Sequence, residues 1–279
     1  MDGADEFDLK LLNFNEMSNA TAWKQLFAYL FIFGGSKAIK SRIVPFERGF
    51  FCDDLSIRYP FRESTVPMKW AYTLGYGANL LAIILIETGW LAHHFACQKR
   101  HPLYIVIAKY LRNFTNSVFA FLFGGICAML LTDMGKFTIG RLRPHFLDVC
   151  QPDWTNITCA CTRYITEYSC TGDEGLIRDA RLSFPSGHSS LAFYTAMFLT
   201  LYINIRVPKN PLFLIVPFIS LIAAAVAFFV ALSRVSDNKH HPTDVLAGST
   251  IGILCACYAH TLLLPNAFML KNKRRTGRE

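Results

Sequence analysis

Apolar stretches near the length that crosses a bilayer recur along the chain, at roughly 68–96, 115–133, 189–206, 211–232 and 245–265. About 20 consecutive apolar residues suffice to span the hydrocarbon core as a helix, so this pattern predicts five spanning helices. A sixth, at about 22–43, is apolar through "LFAYLFIFGG" and then meets Lys37, Lys40 and Arg42. A short first span with snorkelling cations fits that pattern. The expected fold class is therefore all-α, a polytopic integral membrane protein with six transmembrane helices. The opening "MDGADEFDL" is acidic and lacks the basic n-region of a cleavable signal, so the first span is expected to stay as an anchor. With no internal repeat or heptad run, the expected organisation is a tail at 1–21, one membrane domain at 22–265 and a basic tail at 266–279.

Composition agrees with a membrane: 52% of residues are hydrophobic and 14% aromatic. The net charge of +8 carries no nucleic-acid signature. With six spans, both tails share a side with the connections near 97–114 and 207–210. Dense charge in the 97–114 loop and in "KNKRRTGRE" favours the cytoplasm for that side. On the opposite side the loop 134–188 holds Cys150, Cys159, Cys161 and Cys170 around the sequon Asn156-Ile157-Thr158. Both features suit an oxidising lumen or cell exterior, so glycosylation is expected at Asn156 and disulfides among the four cysteines. Three connectivities remain open. Cys159-Ala160-Cys161 has the wrong spacing for a zinc knuckle, and the sequons at Asn19 and Asn113 are expected to be unmodified. His93 and His94, at the far end of the second span, are expected to be interface residues.

Groups able to do chemistry gather at the lumenal ends of spans three to six, in three clusters. "KFTIGRLRP" places Lys136, Arg141, Arg143 and Pro144 just past the third span. "FPSGHSS" sets a Pro-Ser-Gly turn before an apolar helix, aiming backbone N–H groups of Ser186 and Gly187 at an anion site, with His188 beside it as a proton donor. "SRVSDNKHHPTD" supplies Ser233, Arg234, His240, His241 and Asp244, with Pro242 suited to a first helical turn. An aspartate in that turn can receive an N–H from a histidine at the helix mouth, leaving a lone pair on the other ring nitrogen. Asp244 lies four residues after His240 and three after His241, so spacing does not choose between them. Cations, a helix N-terminus, two histidines and a carboxylate suit a phosphate ester, whose transfer needs charge neutralisation, an in-line nucleophile and a proton for the leaving alkoxide. No carboxylate cluster of metal-ligand type appears, so neither metal nor cofactor is expected.

In order and spacing these stretches resemble the signature of the type 2 phosphatidic acid phosphatase superfamily: a lysine six residues before Arg-Pro, then Pro-Ser-Gly-His, then Ser-Arg with His and Asp following. "PFERGFFCDDLSIRYPF" is similar to the integral-membrane lipid phosphate phosphatases (phospholipid phosphatases), the insect Wunen-like branch among them. The resemblance implies six spans, cytoplasmic tails and a lumenal-face active site. It also implies metal-independent hydrolysis of phosphatidate, lysophosphatidate, sphingosine 1-phosphate or ceramide 1-phosphate through a phosphohistidine. Residue by residue it makes His240 the nucleophile, His188 the general acid and Asp244 the group that orients His240. Lys136, Arg143, Arg234, Ser186 and Gly187 hold the phosphoryl group, and Ser233 supports them. One departure is Pro242-Thr243, where such enzymes commonly carry tryptophan and serine. Lipid phosphates in the bilayer are the expected partners, with homo-oligomers also implied. The expected location is the plasma membrane with the site outside, or an endomembrane with the site in the lumen.

Three other readings compete. A catalytically silent lipid-binding relative is expected to have lost motif residues, yet all are present here. Glucose 6-phosphate or a polyprenyl diphosphate would keep the chemistry and change the substrate. A transporter would line a path through the membrane with its cations, whereas these gather at one face.

Overall fold

The computed structural model describes residues 43–97, 102–157, 163–207 and 214–263. The first expected span up to residue 42, the basic tail, Asn19, Cys159, Cys161 and Thr158 lie outside them, as does the side chain of Asn156. Five long helices are α1 (Met68–Cys97), α2 (Leu103–Ile139), α5 (Gly187–Arg206), α6 (Ile215–Ser236) and α7 (Pro242–Thr261). Two short ones, α3 (Phe146–Cys150) and α4 (Glu174–Ala180), lie in the long loop between α2 and α5.

The 97–114 connection expected from the charges is a correction, because α2 begins at Leu103 directly after Pro102. Lys109 and Arg112 depress local hydropathy without interrupting the helix, and Asn113 is buried within it. At its other end α2 stops at Gly140, which adopts a left-handed conformation (φ 56°) and donates its N–H to the Lys136 carbonyl at 3.2 Å. A side chain there would be strained, and the cap fixes Lys136 in the last turn.

Met68–Ala96, Leu103–Ile139, Ile215–Ser236 and Pro242–Thr261 are long and apolar enough to cross a membrane, which makes the chain an integral membrane protein. The 20-residue α5, expected to be a span, is long enough but too polar to count by composition. Its place in the bundle explains this: α5 packs against α1, α2, α6 and α7, so its hydroxyls meet protein rather than lipid. Thr195 Oγ1 donates to the Leu191 carbonyl at 3.0 Å, and Asn79 Nδ2 donates to the Thr195 carbonyl at 3.1 Å. The apolar core around α5 is a run of rings, Phe121, Tyr194, Phe198 and Tyr202.

α5 and α7 approach through Gly248 and Gly252. A Cβ on either would stand 2.3 Å from a carbonyl oxygen of α5 or its N-cap, that of Ser190 or Ser186 respectively for Gly252 and Gly248. Small residues four apart permit this backbone contact.

At one end of the bundle sits a small extramembrane layer. β1 (Phe50–Phe51) pairs antiparallel with β2 (Tyr164–Ile165), Phe50 opposite Ile165. Phe50, Ile57, Phe146, Cys150, Ile165 and Ala180 form its core. Of the four loop cysteines, Cys150 and Cys170 are bonded to each other. Cys52, which the loop-centred reading left out, is also disulfide-bonded.

Candidate active site

The ends of α2, α5, α6 and α7 and the coil before α1 meet beside this layer. After α6 the chain turns at Asn238 (φ 56°), and the N–H groups of Lys239 and His240 both reach back to the Arg234 carbonyl, at 3.0 and 3.1 Å. That turn buries His240, leaving it 3% exposed. Its Nδ1 lies 2.7 Å from the Ser183 carbonyl oxygen. A carbonyl only accepts, so Nδ1 carries the proton and Nε2 holds the lone pair. Asp244 Oδ2 stands 3.8 Å from the same Nδ1, so the direct Asp–His bond expected from the sequence is replaced by a nearer backbone acceptor. Burial pushes the His240 imidazole down to about 3; Asp244 opposes the shift, and the charges of Arg143 and Lys136 add to it.

Asp244 is fully buried and heavily partnered. It accepts from Arg141 Nη1 and Ser183 Oγ, each at 2.6 Å, and from the His241 N–H at 2.9 Å. Its own carbonyl accepts the Ser186 N–H at 3.0 Å. Pro242 takes the first helical position of α7, as its fixed φ allows, and His241 precedes it as N-cap. The His241 ring turns elsewhere, with Nε2 donating to the Leu142 carbonyl at 3.1 Å. The two adjacent histidines are thus separated by backbone direction, and only the His240 ring shares Ser183 and Asp244.

Lys136 and Arg143 lie within electrostatic reach of this imidazole, and Arg234 joins them beside His188. Lys136 Nζ is 3.5 Å from where a Cβ on Gly187 would sit, so the glycine keeps that approach open. Arg143 is 7% exposed and makes a two-pronged pair with Asp179, at 2.9 and 2.7 Å, while its buried Nε has no protein partner. Arg234 is held by Asp237 Oδ2 at 2.6 Å and by Ser233 Oγ at 2.9 Å. Ser233 in turn donates to the Val230 carbonyl at 2.8 Å. Arg234, Lys136 and Arg143 all lie within electrostatic reach of His188. Positive charge concentrated in a dry cleft attracts an anion.

At the mouth of α5 the N-cap Ser186 accepts from Ser189 Oγ at 2.9 Å and more weakly from the Ser189 N–H at 3.4 Å. The Ser186 N–H and hydroxyl lone pairs are therefore engaged within the protein, while its O–H hydrogen remains able to donate. Among the described residues, the N–H groups of Gly187 and His188 have no acceptor, and these are the donors aimed out of the helix. His188 Nε2 donates to the Val66 carbonyl at 3.1 Å.

The segment 58–67 was not foreseen as part of the site. It lies across the α6–α7 turn as a strap. Thr65 binds both oxygens of Asp237, with its N–H at 2.9 Å and its hydroxyl at 2.6 Å, behind Arg234. Lys239 Nζ sits 3.6 Å over the Phe61 ring, and His145 meets that ring edge-on while bonding the Asn238 carbonyl at 2.7 Å. Ser183, Asp179, Asp237 and Thr65 escaped the sequence reading, and Arg141 was noted only as one more cation. Asp237 alone left a trace, three residues after Arg234 on one helical face. Among the described residues, no group of three or more His, Cys, Asp or Glu side chains is placed to hold a metal.

Fold and site together define a mostly helical integral membrane protein with a cationic, histidine-bearing cleft at one end of its bundle. The chain belongs to the PAP2 superfamily, whose sequence profile matches residues 117–267. It is 42% identical over 218 residues to phospholipid phosphatase 1 of Rattus norvegicus, covering 78% of this chain and 76% of that protein. To phospholipid phosphatase 2 of Rattus norvegicus it is 39% identical, covering 76% and 75%. To a putative phosphatidate phosphatase of Drosophila melanogaster it is 36% identical, covering 76% and 60%. No solved structure matches the chain.

Proposed function

We propose that this protein hydrolyses lipid phosphate monoesters without a metal, through a phosphohistidine on His240. The observation that carries the reading is the His240 imidazole, buried, fixed in one tautomer by the Ser183 carbonyl, and within electrostatic reach of Lys136 and Arg143. Its Nε2 lone pair attacks phosphorus as the bond to the lipid alkoxide breaks. His188, protonated once the phosphate anion offsets the surrounding cations, gives that alkoxide the proton on Nδ1 while its Nε2–H stays on the Val66 carbonyl. The neutral His188 then takes a proton from the water that cleaves the P–N bond, releasing phosphate and neutral His240. Asp244 stabilises the charge on His240 as the bond to phosphorus forms. Lys136, Arg143 and Arg234, with the N–H groups of Gly187 and His188, neutralise the equatorial oxygens, a role that cations can fill without Mg²⁺.

Phosphatidate, lysophosphatidate, sphingosine 1-phosphate and ceramide 1-phosphate are the proposed substrates, each with its headgroup at the helix ends and its chain in lipid. The names of the curated relatives favour this class. Burial of the chain contributes about 0.8 kcal/mol per methylene. The cleft lies on the same end as the Cys150–Cys170 disulfide, which favours a lumen or the cell exterior. All proposed catalytic groups come from one chain, so homo-oligomers are not required for the chemistry.

The test is phosphate release from phosphatidate in detergent micelles containing EDTA, comparing the parent with His240→Asn and His241→Asn. The parent turns over, His240→Asn falls by at least about a thousandfold, and His241→Asn keeps most activity. A parent silent on phosphatidate, lysophosphatidate and sphingosine 1-phosphate would leave a lipid-binding protein instead.

A further inference from the structure

Lys136 and Gly187, which face the phosphate in the reaction above, also line a cavity of about 60 Å³ between α1, α2 and α5, whose other walls that reaction does not use. Ser190 lines it, 2% exposed, and its hydroxyl has no hydrogen-bond partner. A buried hydroxyl left unmade costs about 1–3 kcal/mol. Its neighbours on α5 are satisfied, Ser189 by Ser186 Oγ and Thr195 by the Leu191 carbonyl. Ser190 therefore stands apart as a polar group pointed at unfilled space. That space exceeds the roughly 10–15 Å³ that one water needs, so it has room for a small polar group.

Asp133, Tyr72 and Tyr76 line the same cavity. Asp133 precedes Lys136 by one turn of α2, and its charge acts on Tyr72. An ionised carboxylate only accepts hydrogen bonds, so the cavity favours a ligand group that donates. Gly187 and Ser190 are three apart on α5, and such positions lie about 5–6 Å apart on one helix face. That separation matches a phosphate and a substituent on the second carbon beyond its ester oxygen.

Resting on the phosphatase reading above, we propose that this cavity is a subsite for a hydrogen-bond donor on that second carbon. The donor is a hydroxyl in lysophosphatidate or an ammonium in sphingosine 1-phosphate. Ser190 bonds the donor group, and Asp133 accepts its proton-bearing side. A diacyl substrate presents an ester there, which donates nothing and meets the carboxylate unfavourably. The site thus prefers lysophospholipid to diacyl phosphates, and prefers a sphingoid ammonium, a charged donor, to an N-acylated lipid, whose neutral amide N–H is a weaker donor and carries an acyl group.

The experiment measures kcat/KM of the full chain in micelles for two substrate pairs: lysophosphatidate against its 2-deoxy analogue, and sphingosine 1-phosphate against ceramide 1-phosphate. The parent is expected to prefer lysophosphatidate over its 2-deoxy analogue, or the charged ammonium of sphingosine 1-phosphate over the neutral, acylated amide of ceramide 1-phosphate, by about tenfold, equivalent to about 1.4 kcal/mol. Ser190→Ala brings that ratio toward one. Asp133→Asn lowers the sphingosine ratio if the ammonium is the donor read and the lysophosphatidate ratio if it is the hydroxyl. Ratios within twofold of one in the parent for both pairs overturn the subsite while leaving the phosphatase reading intact. Ratios unchanged by Ser190→Ala do the same. Absence of phosphate release from every lipid phosphate removes both.

Discussion

At His240 one hydrogen bond decides which nitrogen can act, and the same logic of burial extends to its neighbours. His145 is 1% exposed, and burial pushes its imidazole down to about 4 from an ordinary 6.5, with Arg143 and Lys239 adding to the shift and the Asn238 carbonyl opposing it. The folded state therefore stays neutral where the unfolded chain has already bound a proton. Stability from His145 is full above pH 6.5 and is lost as pH falls toward about 4, by on the order of 2–3 kcal/mol. Unfolding midpoints of the detergent-solubilised protein, followed by tryptophan fluorescence, are expected to drop across that window and to do so less in His145→Gln. Asp179 belongs to the same scale: it holds both ends of the Arg143 fork. Asp179→Ala is expected to lower kcat/KM about tenfold by letting that guanidinium swing away. Unchanged kinetics would show that Arg143 needs no such partner. The charged groups themselves were readable in the sequence as residue types. Their pairing was not, because Arg141 and Arg143 stand two apart and go to different acids, Asp244 and Asp179.

Helices set the spacing on which those side chains depend. Gly248 and Gly252 bring α7 against the N-terminal turn of α5, with Ser186 and Ser190 carbonyls where a Cβ would stand. Gly248→Ala or Gly252→Ala forces the two helices apart. Overpacking of this kind costs about 1–3 kcal/mol, and because Asp244 and Ser186 share a backbone bond across the contact, activity is expected to fall with stability. A thermal-shift assay beside a turnover assay checks both. The strap offers a subtler change. Thr65→Val removes the 2.6 Å bond to Asp237 and keeps the side chain's shape, so stability is expected to fall by about 1 kcal/mol and kcat/KM by about tenfold. A normal turnover number would mean that Asp237 holds Arg234 without the Thr65 hydroxyl. The elements themselves were largely legible: α7 starts at the proline expected to start it, and α1 follows its apolar run closely. α2 was cut short in the sequence reading because a hydropathy window sees Lys109 and Arg112 but not that the helix continues around them.

Over the whole molecule, membrane helices carry the site and the extramembrane layer braces it. Cys150 and Cys170 close a loop of sequence separation 20, and their joint replacement by serine is expected to destabilise that layer by about 3 kcal/mol. Limited proteolysis under oxidising and reducing conditions reports this, since the loop runs from Arg143 to the start of α5. Resistance unaffected by reduction would place the bracing in the Phe50–Phe146 core instead. The sequence by itself determined that the chain lies in a membrane, because about 20-residue apolar runs have no other stable home. It also determined that phosphate-seeking chemistry gathers at one end, because residue type and motif order fix the available charges and proton carriers. Only the tertiary structure decided which histidine ring lies beside Asp244, that the Ser183 carbonyl rather than the carboxylate accepts its N–H, and that a strap outside the family profile reaches Asp237, which holds Arg234. Those outcomes depend on where separate segments cross in space, and a buried polar group takes whichever partner the packing brings within about 3 Å.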